Sequence, residues 1–446
     1  MHVHILGICG TFMAGIAALA REAGHRVTGS DANAWPPMST QLEALGIEVM
    51  PGYEVAHLRD PEPDAIIVGN VMTRGHDVVE WLLSEDKPLV SGPQWLAEHV
   101  LRGRHVLAVA GTHGKTTTSA MLAHILRACG RDPGWLVGGL AADLGVSAAL
   151  GSGTEFVIEA DEYDTAFFDK RSKFLHYRPR TLVLNNLEYD HADIFDDLRA
   201  IERQFSHLLR TVPANGQLIV NGDDASLARV LEAGCWTPSI AFGAEQPWRI
   251  DDDGRLWQAQ RCIGELALTQ PGEHNRSNAV AAVAAAADVG VDPEDALAAL
   301  AAFRGVRRRM ELRGRARGVA VYDDFAHHPT AVAATLAAAK GLDAGRIIAV
   351  LEPRSNTMRM GAHAAALADS LADADHSYVY LRPDIDWDAD AALASLGERV
   401  TVLRDLDAMV ARVSAGAADG DVLLVMSNGD FGGVHERLLA ALGAAA

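Results

Sequence analysis

The sequence predicts an α/β protein of three domains, each built on a mainly parallel sheet. Three observations carry this prediction. Short apolar runs alternate with helical stretches in three successive series, basic clusters separate the series, and one strand runs straight into a glycine turn and a helix. The first series places strands at residues 3–6, 26–28, 65–68 and 89–90, with a helix over 12–23, and reads as a Rossmann-like domain. A second series starts at 105–110, just beyond Arg102-Gly103-Arg104, and continues through 156–159, 181–184 and 217–220, forming a P-loop ATPase domain. The third follows Arg307-Arg308-Arg309, with strands at 319–322, 346–351, 377–381 and 422–426 in a second Rossmann-like domain. Boundaries near 101 and 311 give domains of 1–101, 102–311 and 312–446. Alanine-rich stretches at 278–288 and 330–340 have high helix propensity and are expected to cover the sheets.

With 446 residues, 49% of them hydrophobic, the chain can bury substantial cores. Its 59 acidic and 39 basic residues give a formal charge of -20, which repels polyphosphate backbones and anionic lipid and argues against nucleic acid as a partner. Cys9, Cys129, Cys235 and Cys262 are too scattered for a disulfide framework or a zinc site and read as reduced thiols. The start, residues 1–7, is strand-like and lacks the features of a signal peptide, and no apolar run reaches the roughly 18 residues of a membrane span. A cytoplasmic location is expected.

The strongest chemical signal is Gly111-Thr112-His113-Gly114-Lys115-Thr116-Thr117 after the apolar strand at 105–110. Glycines let backbone N–H groups turn around phosphate oxygens, the following helix presents its positive end, Lys115 reaches terminal phosphates and Thr116 can hold magnesium. The usual first glycine of the motif is replaced by Val109. A magnesium nucleotide needs further hard oxygen ligands, and the strand at 156–159 ends in Glu159, the best candidate, with Asp161, Glu162 and Asp164 open either as ligands or as a solvated loop. The strand at 181–184 leads to Asn186, Asp190 and His191, on the edge of the sheet where ligands gather.

Together, Gly-Thr-His-Gly-Lys-Thr-Thr-Thr, Glu-Ala-Asp-Glu and Asn-Leu-Glu-Tyr-Asp-His resemble the Mur ligase family of peptidoglycan synthesis, in which the Val109 departure is normal. The resemblance covers essentially the whole chain. It implies an ATP-dependent ligase that activates a carboxylate as an acyl phosphate and joins it to an amine. A UDP-sugar would bind the first domain, ATP the second, and the amine the third. By the same resemblance Thr116 and Glu159 ligate one Mg2+ and His191 a second, while Lys115 and Arg309 reach the ATP phosphates. His274 and Asn275 face adenine, Asp324 and His327 lie by the ribose, and Gly10, Thr11 and Asp31 contact the UDP-sugar. Many family members carry a carbamylated lysine beyond the histidine, where this chain has Gln204-Phe205-Ser206, a departure that fits the branch accepting UDP-N-acetylmuramate.

Within that branch, residues 352–361, 426–435 and 163–170 resemble the members that add the murein tripeptide L-alanyl-γ-D-glutamyl-meso-diaminopimelate, rather than those that add L-alanine. An acceptor with several carboxylates needs fixed donors, and Arg354, Asn356 and Asn428 supply them. Two alternatives remain open: a UDP-N-acetylmuramate–L-alanine ligase and, from another class, a P-loop kinase or ATP-driven switch. The first domain's Gly7-Ile8-Cys9-Gly10 with Asp31 also echoes a dinucleotide site, but it lacks the G-x-G-x-x-G spacing.

Overall fold

The computed structural model describes residues 1–34, 38–342 and 345–444. The chain folds as two compact units. One comprises residues 1–188, 199–267 and 277–303, and the other residues 189–198, 268–276 and 304–446. The loops carrying His191 and His274 are therefore grouped with the C-terminal third of the chain.

The first unit holds two large sheets. In the smaller, the strands run in the order Glu48–Pro51, Arg26–Asp31, His2–Leu6, Ala65–Val68 and Leu89–Ser91, all parallel. The chain reverses its winding beside His2–Leu6, and such a switch point opens a crevice at the carboxyl ends of the strands. Ile5, Ile67 and Val68 are fully buried, as expected for strands covered on both faces. The helix Thr11–Glu22 packs closely on the larger sheet, where a Cβ added at Gly15 would lie 2.2 Å from Leu136 Cδ1.

The larger sheet has ten strands. At its centre His105–Ala110 lies between the parallel strands Thr181–Leu184 and Glu155–Ala160, which brings residues 111, 161 and 185 to one edge. The three-domain α/β expectation holds, and the predicted strands fall within a residue or two of the observed ones except at 26–28, where the strand runs on to Asp31. Strands not expected from the sequence include Glu48–Pro51, Glu311–Ala316, Val400–Leu403 and an antiparallel extension at one end of the larger sheet, Trp248–Ile250, Arg255–Gln258 and Arg261–Glu265. The alanine-rich stretches form the helices Glu273–Asp288 and Pro329–Ala339.

In the second unit a six-stranded sheet runs Glu311–Ala316, Val319–Asp324, Val422–Met426, Ile347–Leu351, His376–Tyr380 and Val400–Leu403. Only the first pairing is antiparallel. Apolar clusters cover both faces, one centred on Leu351, Leu381 and Leu424 and the other on Val350, Leu423 and Val425. No helix among the described residues is long and apolar enough to cross a membrane.

Candidate active site

The phosphate loop is shaped by the neighbouring strand. Gly111 (φ 144°) and Gly114 (φ 79°) adopt backbone angles that side chains rarely permit, and a Cβ on Gly114 would come 2.3 Å from Asn278 Oδ1. Asn186, at the end of Thr181–Leu184, braces the loop twice: its Oδ1 accepts from His113 N at 2.7 Å and its Nδ2 donates to His113 O at 3.1 Å. Thr112 N donates to Asn186 O, and Glu188 N donates to Thr112 Oγ1 at 2.9 Å. Asn185 Nδ2 donates to Thr118 Oγ1 and Asn278 Oδ1, both at 3.1 Å, tying the loop's helix to its neighbours. The helix Lys115–Ala128 thus starts where unpaired N–H groups can meet an anion. Thr117, one turn in, is buried.

Lys115 Nζ stands 2.8 Å from Glu162 Oε2 and 3.8 Å from Asp161 Oδ1. Burial alone would push this ammonium down, but Glu162 and Asp161 overcome it and hold the group well above the usual lysine range. Glu162 is thus an internal counter-ion for the lysine. Thr116 Oγ1 donates to Glu159 Oε1 at 2.9 Å, and Gly138 N donates to Glu159 Oε2 at 2.7 Å. A hydroxyl and a carboxylate this close, beside a phosphate loop, make a donor set suited to a hard cation such as Mg2+.

A cavity of about 570 Å³ opens beside this edge within the same unit. Its lining includes Gly10, Thr11, Asp31, Asn70, Glu159 and Lys173, so the expected UDP-sugar residues and the carboxylate that accepts from Thr116 share one space. Asp31 is buried, and its oxygens accept from Cys9 N and Asn33 N, both at 2.9 Å, so it shapes the turn as well as lining the cavity. Asn70 Nδ2 donates to Asp164 Oδ1 at 2.7 Å, and Lys173 Nζ lies 3.1 Å from Asp161 Oδ2.

The second unit gathers the remaining residues. His191 sits at φ 55°, a strained angle for a side-chain-bearing residue, on a loop whose anchor is Asp190. Asp190 Oδ1 accepts from Thr357 Oγ1 at 2.6 Å and from His191 N at 2.7 Å. Burial would raise this carboxyl, but His191 and His327 hold it well below the usual range. Asn356 Nδ2 donates to Asp193 Oδ2 at 2.8 Å, so this exposed residue, expected to bind the acceptor, also braces the histidine loop.

Arg309 is flanked by two left-handed residues, Arg308 (φ 58°) and Met310 (φ 52°), and its guanidinium lies 5.0 Å from the centre of the Phe325 ring. Asp324 is buried and accepts from Met310 N and Ala326 N, both at 2.8 Å, so it fixes the arginine's turn. Burial lowers the His274 imidazole, with Asp324 opposing and Arg309 reinforcing the shift. Asn275 Nδ2 closes its own turn on Pro271 O at 2.7 Å, and His327 Nδ1 pairs with Phe325 O at 2.9 Å. Arg354 Nη1 lies 2.6 Å from Asp430 Oδ1, while Asn428 Oδ1 is buried without a hydrogen-bond partner. The bracing roles of Asn185, Asn278 and Thr357 and the pairing of Glu162 with Lys115 were not read from the sequence. The adjacent asparagines at a strand end were the one local signal available.

Comparison with known proteins agrees with this architecture. Residues 2–104 match the model described as Mur ligase family, catalytic domain, residues 109–286 the Mur ligase middle domain, and residues 308–429 the Mur ligase, glutamate ligase domain. The chain is 53% identical over 450 residues to the UDP-N-acetylmuramate–L-alanyl-γ-D-glutamyl-meso-2,6-diaminoheptandioate ligase of Escherichia coli K12, covering 99% of this chain and 98% of that one. A UDP-N-acetylmuramate–L-alanine ligase of Renibacterium salmoninarum is 35% identical over 456 residues, covering 99% and 96%. Among solved structures, a murein peptide ligase of Psychrobacter arcticus aligns with a TM-score of 0.76 at 46% identity, covering 99% of each chain.

Proposed function

The chain belongs to the Mur ligase family, ATP-dependent ligases that form C–N bonds, and from that premise we propose that it joins UDP-N-acetylmuramate to L-alanyl-γ-D-glutamyl-meso-diaminopimelate in peptidoglycan recycling. The observation that carries this reading over the L-alanine ligase is the difference in full-length identity, 53% against 35%. The loops at 352–361 and 426–435, with donors for remote carboxylates, support the same choice.

In this reading residues 1–101 hold the UDP-sugar through Gly10, Thr11 and Asp31, residues 102–311 bind ATP, and residues 312–446 bring the peptide. The muramate carboxylate attacks the γ-phosphorus of ATP, forming an acyl phosphate and releasing ADP. The tripeptide's terminal amine then adds to the acyl carbon, loses its proton, and expels inorganic phosphate. Lys115, released from Glu162 by the polyphosphate, offsets charge developing on the transferred group. The amides of Gly111 to Thr117 cradle the phosphates, His274 and Asn275 face the base, Asp324 and His327 lie by the ribose, and Arg309 reaches the phosphates as the site closes. Thr116 and Glu159 would hold one Mg2+ and His191 another, and the ions would supply charge neutralisation during phosphoryl transfer. Arg354, Asn356 and Asn428 bind the acceptor, with Asn356 also steadying the His191 loop through Asp193.

A substrate panel tests this reading. With UDP-N-acetylmuramate and ATP present, phosphate release is expected to be far faster with the tripeptide than with L-alanine. Equal or better efficiency with L-alanine would transfer the chain to the alanine-adding ligases, and ATP turnover without any amide product would favour a switch.

A further inference from the structure

Arg308 and Arg309 are neighbours in the chain, yet only Arg309 has a ligand in the proposed reaction. Arg308 is held at φ 58°, an angle that a side-chain-bearing residue keeps only where its surroundings fix it. Its N donates to Glu311 Oε2 at 2.9 Å, and its O accepts from Phe325 N at 2.8 Å. The side chain reaches the loop after Val422–Met426, where Nη2 donates to Ser427 O and to Gly429 O, both at 2.6 Å. These carbonyls flank Asn428, so one charged nitrogen fixes the peptide units on either side of it. Asp323, buried, lies 3.5 Å from Arg308 Nε and answers its charge. Both arginines also meet one ring: the Arg308 guanidinium lies 5.1 Å and that of Arg309 5.0 Å from the centre of Phe325. All of these residues belong to the second unit.

We propose that Arg308 is a positioning residue that makes the ordering of residues 427–429 depend on the nucleotide, with the Phe325 ring as the shared seat through which Arg309 and Arg308 move together. The proposal rests on the reading above, in which Arg309 meets the ATP phosphates and this loop faces the amine. An arginine drawn to phosphate gives up part of its contact with the ring, and the other cation on that ring is Arg308. Nor can Arg309 shift alone, because Arg308 and Met310 on either side of it are both left-handed and Met310 N is tied to Asp324 Oδ2 at 2.8 Å. Displacing Arg309 therefore acts on the turn that aims Arg308 at the two carbonyls. A loop ordered before the peptide arrives binds it with a smaller loss of freedom. Such coupling is reciprocal, so the peptide should tighten nucleotide binding to the same degree.

The experiment measures tripeptide binding to the full chain by calorimetry, with UDP-N-acetylmuramate present, in the absence and presence of Mg2+ and a non-hydrolysable ATP analogue. The wild type is expected to bind the peptide about tenfold more tightly with the analogue. In Arg308→Met, which keeps the apolar stem and loses the fork, that gain should fall below about threefold. Acyl phosphate trapped by hydroxylamine in the absence of peptide should still form at the wild-type rate. Arg308→Lys, which keeps the charge, should restore part of the gain. Phe325→Leu, which removes the shared ring and leaves Arg308 its two carbonyls, should lose the gain as Arg308→Met does. A gain retained in either variant, acyl-phosphate formation slowed as much as peptide binding is weakened, or wild-type binding indifferent to the analogue would overturn the proposal. Should Arg308→Met fail to fold, Phe325→Leu decides alone. A wild-type enzyme that ignores the tripeptide and uses L-alanine would instead defeat the underlying reading, and that is seen before any variant is made.

Discussion

Acid should loosen the first sheet through one histidine. His2 and His4 point to the same side of one strand, Thr28 and Ser30 to the same side of its neighbour, and the four side chains interlock. His2 Nε2 and His4 Nδ1 both pair with Thr28 Oγ1, His4 Nε2 pairs with Ser30 Oγ, and Ser30 Oγ pairs with His57 Nδ1, each at 2.9 Å. His4 is fully buried, and burial, aided by the neighbouring imidazoles, lowers it from 6.5 to about 4. The unfolded chain therefore binds a proton at a pH where the folded chain refuses it. Stability from this group is whole above pH 6.5 and falls as pH drops toward 4. At about 1.4 kcal/mol per pH unit the loss approaches about 3 kcal/mol. The interlocked side chains adjoin the cavity lining, because Ser30 O accepts from Gly7 N at 2.8 Å and Asp31 follows Ser30, and both Gly7 and Asp31 line the cavity. Urea unfolding of the wild type and of His4→Gln at pH 7 and pH 4, each in a background where Trp95 is the one tryptophan of the eight retained and its fluorescence is followed, isolates the contribution. The wild type should lose about 3 kcal/mol more than the variant over that range. Parallel stability curves, differing by under about 1 kcal/mol across it, would refute the reasoning.

Lys115→Ala should leave the fold intact and reduce turnover by at least about a thousandfold, since fixed charges of this kind supply several kcal/mol at the transition state; undiminished activity in a folded variant removes the loop from the mechanism. Glu159→Ala and His191→Ala should each move the magnesium titration of turnover to higher concentration, and an unchanged midpoint in both would dismiss them as ligands. Asn186→Ala, which removes both braces on His113, should raise KM for ATP about thirtyfold, in line with losing two hydrogen bonds of about 1 kcal/mol each. An unaltered KM there would mean that the loop holds its shape unaided.

Where the sequence was legible, physics was local. Residues 106–110 and 182–184 are apolar throughout because their strands are covered on both faces, so both strands could be placed. Glu311–Ala316 alternates charge with small residues on a sheet edge, and it reads as a junction rather than a strand. The hairpin extension from Trp248 is short and partly exposed, and it offers no long run to detect. The site divides the same way. Glycines at 111 and 114 announce their backbone angles, and the lysine beside them announces an anion. Which acid would hold that lysine could not be read from Glu159, Asp161, Glu162 and Asp164, because the answer depends on strand order. Placing Glu155–Ala160 directly beside His105–Ala110 turns Glu159 to the Thr116 hydroxyl and leaves Glu162 for the ammonium. The same holds for Arg354 and Asp430, which are distant in sequence and meet because Ile347–Leu351 and Val422–Met426 are neighbours. Residue types along the chain specify which charges a ligand will meet. Sheet topology decides which internal partner each charge must leave to meet it, and those partners set how readily the site exchanges an internal ion pair for a substrate.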